Sequence, residues 1–168
     1  MDQNASRRRF LGTSGAIIGV TLAGCSGSSG DSGGDESPKA SDYTAAEERA
    51  VDYLTTDNET GNFDGTFGDE TGADEVVVKV GAEGNGGNFA YAPPAVTIST
   101  GTTVSWQWTG KGNDHNVVST EASDFDVDSG DPKESGDPFE QSFDDTGVLL
   151  YYCEPHRTLG MKGAIVVV

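Results

Sequence analysis

The sequence predicts an all-β protein, a β-sandwich that follows an export segment and a tether. Three observations predict it. From residue 76 onward, apolar and polar side chains alternate in short runs. Glycine, asparagine and aspartate turn signals separate those runs, and none of them has a convincing helical period. The first 75 residues are polar and glycine-rich. The core-forming residues therefore lie within the last stretch of about ninety, enough to bury one modest core.

Each element follows in chain order. Val76, Val78 and Val80 share one face of a first strand, with Lys79 on the other. Gly84-Asn85-Gly86-Gly87-Asn88 turns the chain. Its glycines follow a strand but open no helix, which argues against a phosphate cradle. Val96–Ser99 and Thr102–Trp108 form the next pair around Thr100-Gly101. In the second of these, Val104, Trp106 and Trp108 alternate with Thr103, Ser105 and Gln107, so the tryptophans read as core packing. His115–Ser119 begins another strand, and residues 121–137 read as loop or edge. Pro138–Phe143 and Gly147–Cys153 flank a turn at Asp144-Asp145-Thr146-Gly147, and Gly163–Val168 closes the chain. Short strands joined by turns predict an antiparallel sandwich.

Residues 1–24 read as a signal peptide. Ser6-Arg7-Arg8-Arg9-Phe10-Leu11 resembles a twin-arginine export signal. The apolar stretch over 10–23 is interrupted by Gly12, Ser14, Gly15 and Gly19. It falls short of the roughly 20 apolar residues of a membrane span. Leu22-Ala23-Gly24-Cys25 resembles a lipobox, which implies a lipid on Cys25 and a place on the extracellular face of the cell membrane. Residues 25–60 form a lipid-anchored tether that is flexible by composition, with a short helix over 44–55. Thr44 and Glu47 have capping-box spacing there, and Ala46, Ala50, Val51 and Leu54 line one face. Asn58-Glu59-Thr60 matches a glycosylation sequon, a pattern common by chance. Residues 61–75 read as loop and open a domain over 61–168 whose core is 76–168.

The net charge is −18, which excludes nucleic acid as a partner because phosphates would be repelled. Export takes away three arginines and one aspartate and leaves −20. At molar salt the Debye length is about 3 Å and that self-repulsion largely vanishes, so the charge fits adaptation to brine.

The chemistry sits near the C-terminus. Cys153, His156 and Met161 form a C-x2-H-x4-M run, and His115 lies 38 residues before Cys153. The chain has two histidines, and Met161 is its only methionine besides the initiator. Two imidazoles, one thiolate and a weak axial thioether make the ligand set of a type 1 blue copper. Leu149, Tyr151 and Cys153 point the same way along one strand, which turns the sulfur inward. Pro155 fixes the backbone just before His156, and Gly160 lets the loop turn back before Met161. Structural zinc takes four Cys or His ligands, and with Cys25 assigned to the lipobox only three are available. A binuclear copper site needs two thiolates, and Cys25 has its own role. A Cys/His nucleophile pair lacks an orienting group and an oxyanion hole. The two cysteines therefore predict no disulfide. A copper scavenger would offer several clusters, and an oxidising enzyme would need additional histidines. Neither pattern is present in this sequence.

Gly147–His156, continuing through Gly160-Met161-Lys162-Gly163, resembles the copper loop of plastocyanins, and Gly110–Val118 resembles their first-histidine loop. Val80–Phe89 and Trp106–Gly110 bring the chain closer to the halocyanin branch, the acidic, lipid-anchored relatives in salt-loving archaea. The resemblance covers 76–168 well and 61–75 loosely. It implies an eight-stranded Greek-key cupredoxin with one copper, a non-enzymatic carrier of electrons between redox proteins of the membrane transport chain. It also implies that Asn116 braces the ligand loops, and that electrons leave at the His156 edge among Pro93, Pro94, Pro155 and Leu159. Glu154 departs from plastocyanins, which have a small polar residue there. A carboxylate beside the ligand cysteine favours Cu(II) and predicts a lowered reduction potential.

Overall fold

The computed structural model describes residues 43–168. The signal peptide over 1–24, the lipid site Cys25 and the tether as far as residue 42 lie outside the described residues. One helix, α1 (Ala45–Thr55), precedes nine strands in the described part. These are β1 (Gly68–Glu70), β2 (Glu75–Gly84), β3 (Gly87–Ala92), β4 (Ala95–Ile98), β5 (Thr102–Trp108), β6 (Val118–Ser119), β7 (Phe139–Phe143), β8 (Gly147–Tyr152) and β9 (Lys162–Val167). They form two sheets, ordered β1-β4-β9-β8-β6 and β3-β2-β5-β7.

The fold is the expected β-sandwich, but its pairing is not purely antiparallel. β2 runs parallel to β5, and β4 runs parallel to both β1 and β9. The cause lies at Pro93-Pro94. Neither residue has an N–H to continue the ladder, so the chain leaves the second sheet after β3 and enters the first as β4. Three boundaries also differ from the sequence reading. β3 follows directly on an Asn85-Gly86 hairpin turn in which both residues have positive φ, the geometry a two-residue hairpin needs. Residues 68–70 form a short parallel edge strand instead of loop. His115 makes only an isolated bridge to Lys133, and β6 is reduced to two residues.

Between the sheets, β2 contributes Val76, Val78 and Val80, as its alternation requires. Trp106 is fully buried, with its ring 5.6 Å from Phe139 and 5.7 Å from Tyr151. A second core covers the outer face of the first sheet. There Ala50 and Leu54 of α1 pack on Ala95, Val148, Leu150, Ala164 and Val166. The helix starts as its capping box dictates, with Thr44 Oγ1 accepting from the Glu47 amide and Glu47 accepting from the Thr44 amide. At eleven residues it is too short to be stable alone, so the buried face holds it in place. Arg49 adds a forked contact to the Asp124 carboxylate and the Ala122 carbonyl.

Truncation of Leu54, which is fully buried, tests that docking. Leu54→Ala should cost about 2–5 kcal/mol in chemical denaturation of the metal-free protein. A loss near zero would mean that α1 does not contribute to the folded domain.

Candidate metal centre

Two separate chain segments bring the polar cluster together at one end of the sandwich. His115 belongs to the segment that leads into β6. Its backbone exchanges two hydrogen bonds with Lys133, both 2.9 Å, and its carbonyl accepts from Trp108 Nε1 at 2.8 Å. Its ring is fixed as well, with Nε2 lying 2.9 Å from the Lys111 carbonyl oxygen. A carbonyl only accepts, so Nε2 carries the proton and Nδ1 presents a lone pair. Burial lowers the His115 pKa and favours this neutral form.

Cys153 follows β8 directly. Its amide donates to the Met161 carbonyl at 3.1 Å, and the Met161 amide donates to the His156 carbonyl at 3.2 Å. A single 3-10 turn, Arg157–Leu159, and a left-handed Gly160 close the loop between them. His115, Cys153 and Met161 are fully buried, whereas His156 is half-buried. The Phe89 ring lies 4.7 Å from the His156 ring at 36°, which holds that imidazole against the cluster.

The donor atoms converge. Cys153 Sγ is 3.6 Å from His115 Nδ1 and 3.5 Å from His156 Nδ1, and the two Nδ1 atoms are 3.1 Å apart. The point equidistant from all three lies about 2 Å from each, close to a metal–imidazole bond length. A thiol and two imidazole lone pairs crowded together have poor mutual hydrogen bonding, and a cation at their centre removes the conflict. The residues therefore fit a soft, imidazole-binding metal ion, with Met161 at the end of the same loop. Burial raises the Cys153 pKa; the Asn116 and His156 backbone N–H groups oppose that shift, and the Glu154 charge adds to it. A bound cation would reverse the balance by stabilising the thiolate. Burial also lowers the His156 pKa, with the neighbouring His115 adding to the effect.

Asn116 joins the two segments. Its Oδ1 accepts from the Glu154 amide at 2.9 Å, while Nδ2 donates to the Glu154 carboxylate at 2.7 Å and to the Gly130 carbonyl at 3.3 Å. The Tyr91 hydroxyl donates to the Asn116 carbonyl at 2.5 Å. Glu154 and Pro155 are exposed, as is Leu159, while Pro93 and Pro94 are half-buried. Phe89 and Trp108 also hold the cluster, and sequence reasoning gave neither a part in it. Trp108 was hidden because its alternation with Val104 and Trp106 reads as core.

A buried thiol and two imidazoles at one end of a two-sheet sandwich define a copper-binding electron-transfer class of protein. The chain belongs to the plastocyanin/azurin family of copper binding proteins, which matches residues 76–168, and copper is its cofactor. It is 48% identical to the halocyanin of Natronomonas pharaonis, over 98% of this chain and 99% of that protein. Against the plastocyanin of Scenedesmus fuscus it is 37% identical, over 55% of this chain and 99% of the other. Among solved structures, the pseudoazurin of Methylobacterium extorquens AM1 is 29% identical, with a TM-score of 0.44 over 56% of this chain and 75% of that one.

Removing the Asn116 side chain should loosen both segments. Asn116→Ala removes three part-buried hydrogen bonds, one of them to a carboxylate, and should cost roughly 2–3 kcal/mol in denaturation of the metal-free protein. An unchanged midpoint would show that the two segments hold their separation without it.

Proposed function

We propose that this protein is a non-enzymatic carrier that holds one type 1 copper through His115, Cys153, His156 and Met161. In this reading it passes single electrons between redox proteins of a membrane transport chain. When bound, the copper supplies a one-electron Cu(I)/Cu(II) couple. The single observation that carries the reading is the convergence of three donor atoms within 4.8 Å of one another in a largely dry pocket.

The chain's own residues account for the rest. Both β8 and the bridged His115–Lys133 segment are held by backbone hydrogen bonds, which would keep the donors in place when the charge changes, and small rearrangement makes electron transfer fast. His156 alone among the four proposed ligands is not fully buried. Its outer edge, flanked by exposed Pro155 and Leu159, is the proposed path for electrons to a docked partner. Asn116 and the exposed Pro155 fix the loop from outside the ligand set, and Glu154 places a carboxylate beside the ligand cysteine. A lipid on Cys25 would keep the domain on the extracellular face of the membrane, within reach of membrane-bound partners. The −18 charge suits a salt-rich exterior.

Voltammetry tests the carrier reading. The copper-loaded protein should give a reversible one-electron wave, and Glu154→Gln should raise its potential at low salt. A protein that takes up only Cu(I) and shows no wave would instead be a scavenger. A potential that stays put in Glu154→Gln would sink the role given to that carboxylate.

A further inference from the structure

Residues 43–60 lie before the segment that the copper family matches, yet the end of that stretch is built into the ligand loop. We infer that residues 53–60 form a strap across the copper end, with Lys162 as the clasp that positions the Cys153–Met161 loop. The inference rests on reading that loop as the copper loop.

Lys162 follows Met161 directly and is 3% exposed, in a strand whose every residue is buried. A buried ammonium persists only where acceptors meet its charge. Here all the acceptors come from the strap. Lys162 Nζ donates to the carbonyls of Tyr53 at 2.6 Å, Thr56 at 2.8 Å and Asp57 at 3.2 Å, and it lies 5.1 Å from the centre of the Tyr53 ring. These carbonyls lie at and just beyond the C-terminus of α1, where the helix leaves acceptors unpaired and has a partial negative charge. The last turn of α1 has no basic residue of its own. Lys162 supplies the missing cation from more than a hundred residues away.

Two further contacts bear on the same loop and on the strand that leads into it. The strap turns at Asp57 and Asn58, both left-handed, a conformation that Asp and Asn accept more readily than other non-glycine residues. The Glu59 carbonyl then sits directly against Gly160, so that a Cβ there would collide with it. On the helix side, the Tyr53 hydroxyl donates to the Tyr151 carbonyl at 3.0 Å, two residues before Cys153. Beyond the turn, Gly61 donates to Asn85 Oδ1 at 2.6 Å and Asn62 donates to the Tyr91 carbonyl at 2.7 Å. The strap and the two residues after it thus run from the outer face of β8 and β9 to the β2–β3 hairpin, joining the two sheets at the end that carries the ligands.

Amide hydrogen exchange on the full copper-free chain tests this without relying on the metal. In Lys162→Met, the strap amides of Thr56 and Thr60 and the loop amides of His156, Gly160 and Met161 should exchange faster together, by about tenfold or more. Amides of the β2–β5 pair should keep their wild-type rates. Faster strap exchange with a fully protected loop would overturn the proposal, and so would no change in either. If Lys162→Met unfolds the whole domain, Tyr53→Phe applies the same test through one neutral hydrogen bond. A copper-loaded sample run in parallel separates the two readings. A missing thiolate-to-copper absorption band with coupled exchange intact would contradict the copper loop and leave the strap standing.

Discussion

The copper end depends on the fixed distance between two segments that belong to different parts of the chain. His115 and Cys153 are 38 residues apart, and their donor atoms are useful only if nitrogen and sulfur stay within a few ångströms. That separation is fixed several times over. Asn116 bonds Glu154 with both ends of its amide, Tyr91 anchors the Asn116 backbone from β3, and Lys133 and Trp108 hold the His115 backbone. Bonds of this number would hold the donor set in place before a metal binds. The same stiffness would keep the site nearly unchanged between two copper charge states.

Burial divides the labour within the set. Cys153, His115 and Met161 are enclosed, which removes water and makes every charge in the pocket costly. A thiolate would cancel one unit of a bound cation's charge and so meet that cost in part. His156 reaches outward, so one ring links the dry pocket to the surface. The acidity of the chain lies outside this arrangement, and Glu154 is the carboxylate that touches both worlds.

Much of this was legible in the sequence, for physical reasons that differ by element. The β2 strand showed because one face of its first half is buried, which forces alternation in Val76, Val78 and Val80, and β5 showed because Val104 and Trp106 turn to the core between polar residues. The donors showed because histidine, cysteine and methionine are so scarce here that few other roles compete for them. β3 was hidden because Gly87–Ala92 mixes glycine, asparagine and aromatics without a period. Parallel pairing was hidden because strands distant in sequence set it, after the switch at Pro93-Pro94. The docking of α1 left readable traces in the apolar face of the helix and in the unbroken apolar run Ala164–Val167, which signals a strand covered on both faces. Lys162 left none, since its partners lie 105 to 109 residues away.

The most direct test of a preassembled copper site centred on Cys153 is spectroscopic titration of the metal-free protein with Cu(II). An intense visible band from thiolate-to-copper charge transfer should grow to saturation at one equivalent, with a single copper EPR species, and Cys153→Ser should lose the band altogether. Saturation at another stoichiometry, or a band that survives in Cys153→Ser, would contradict the account.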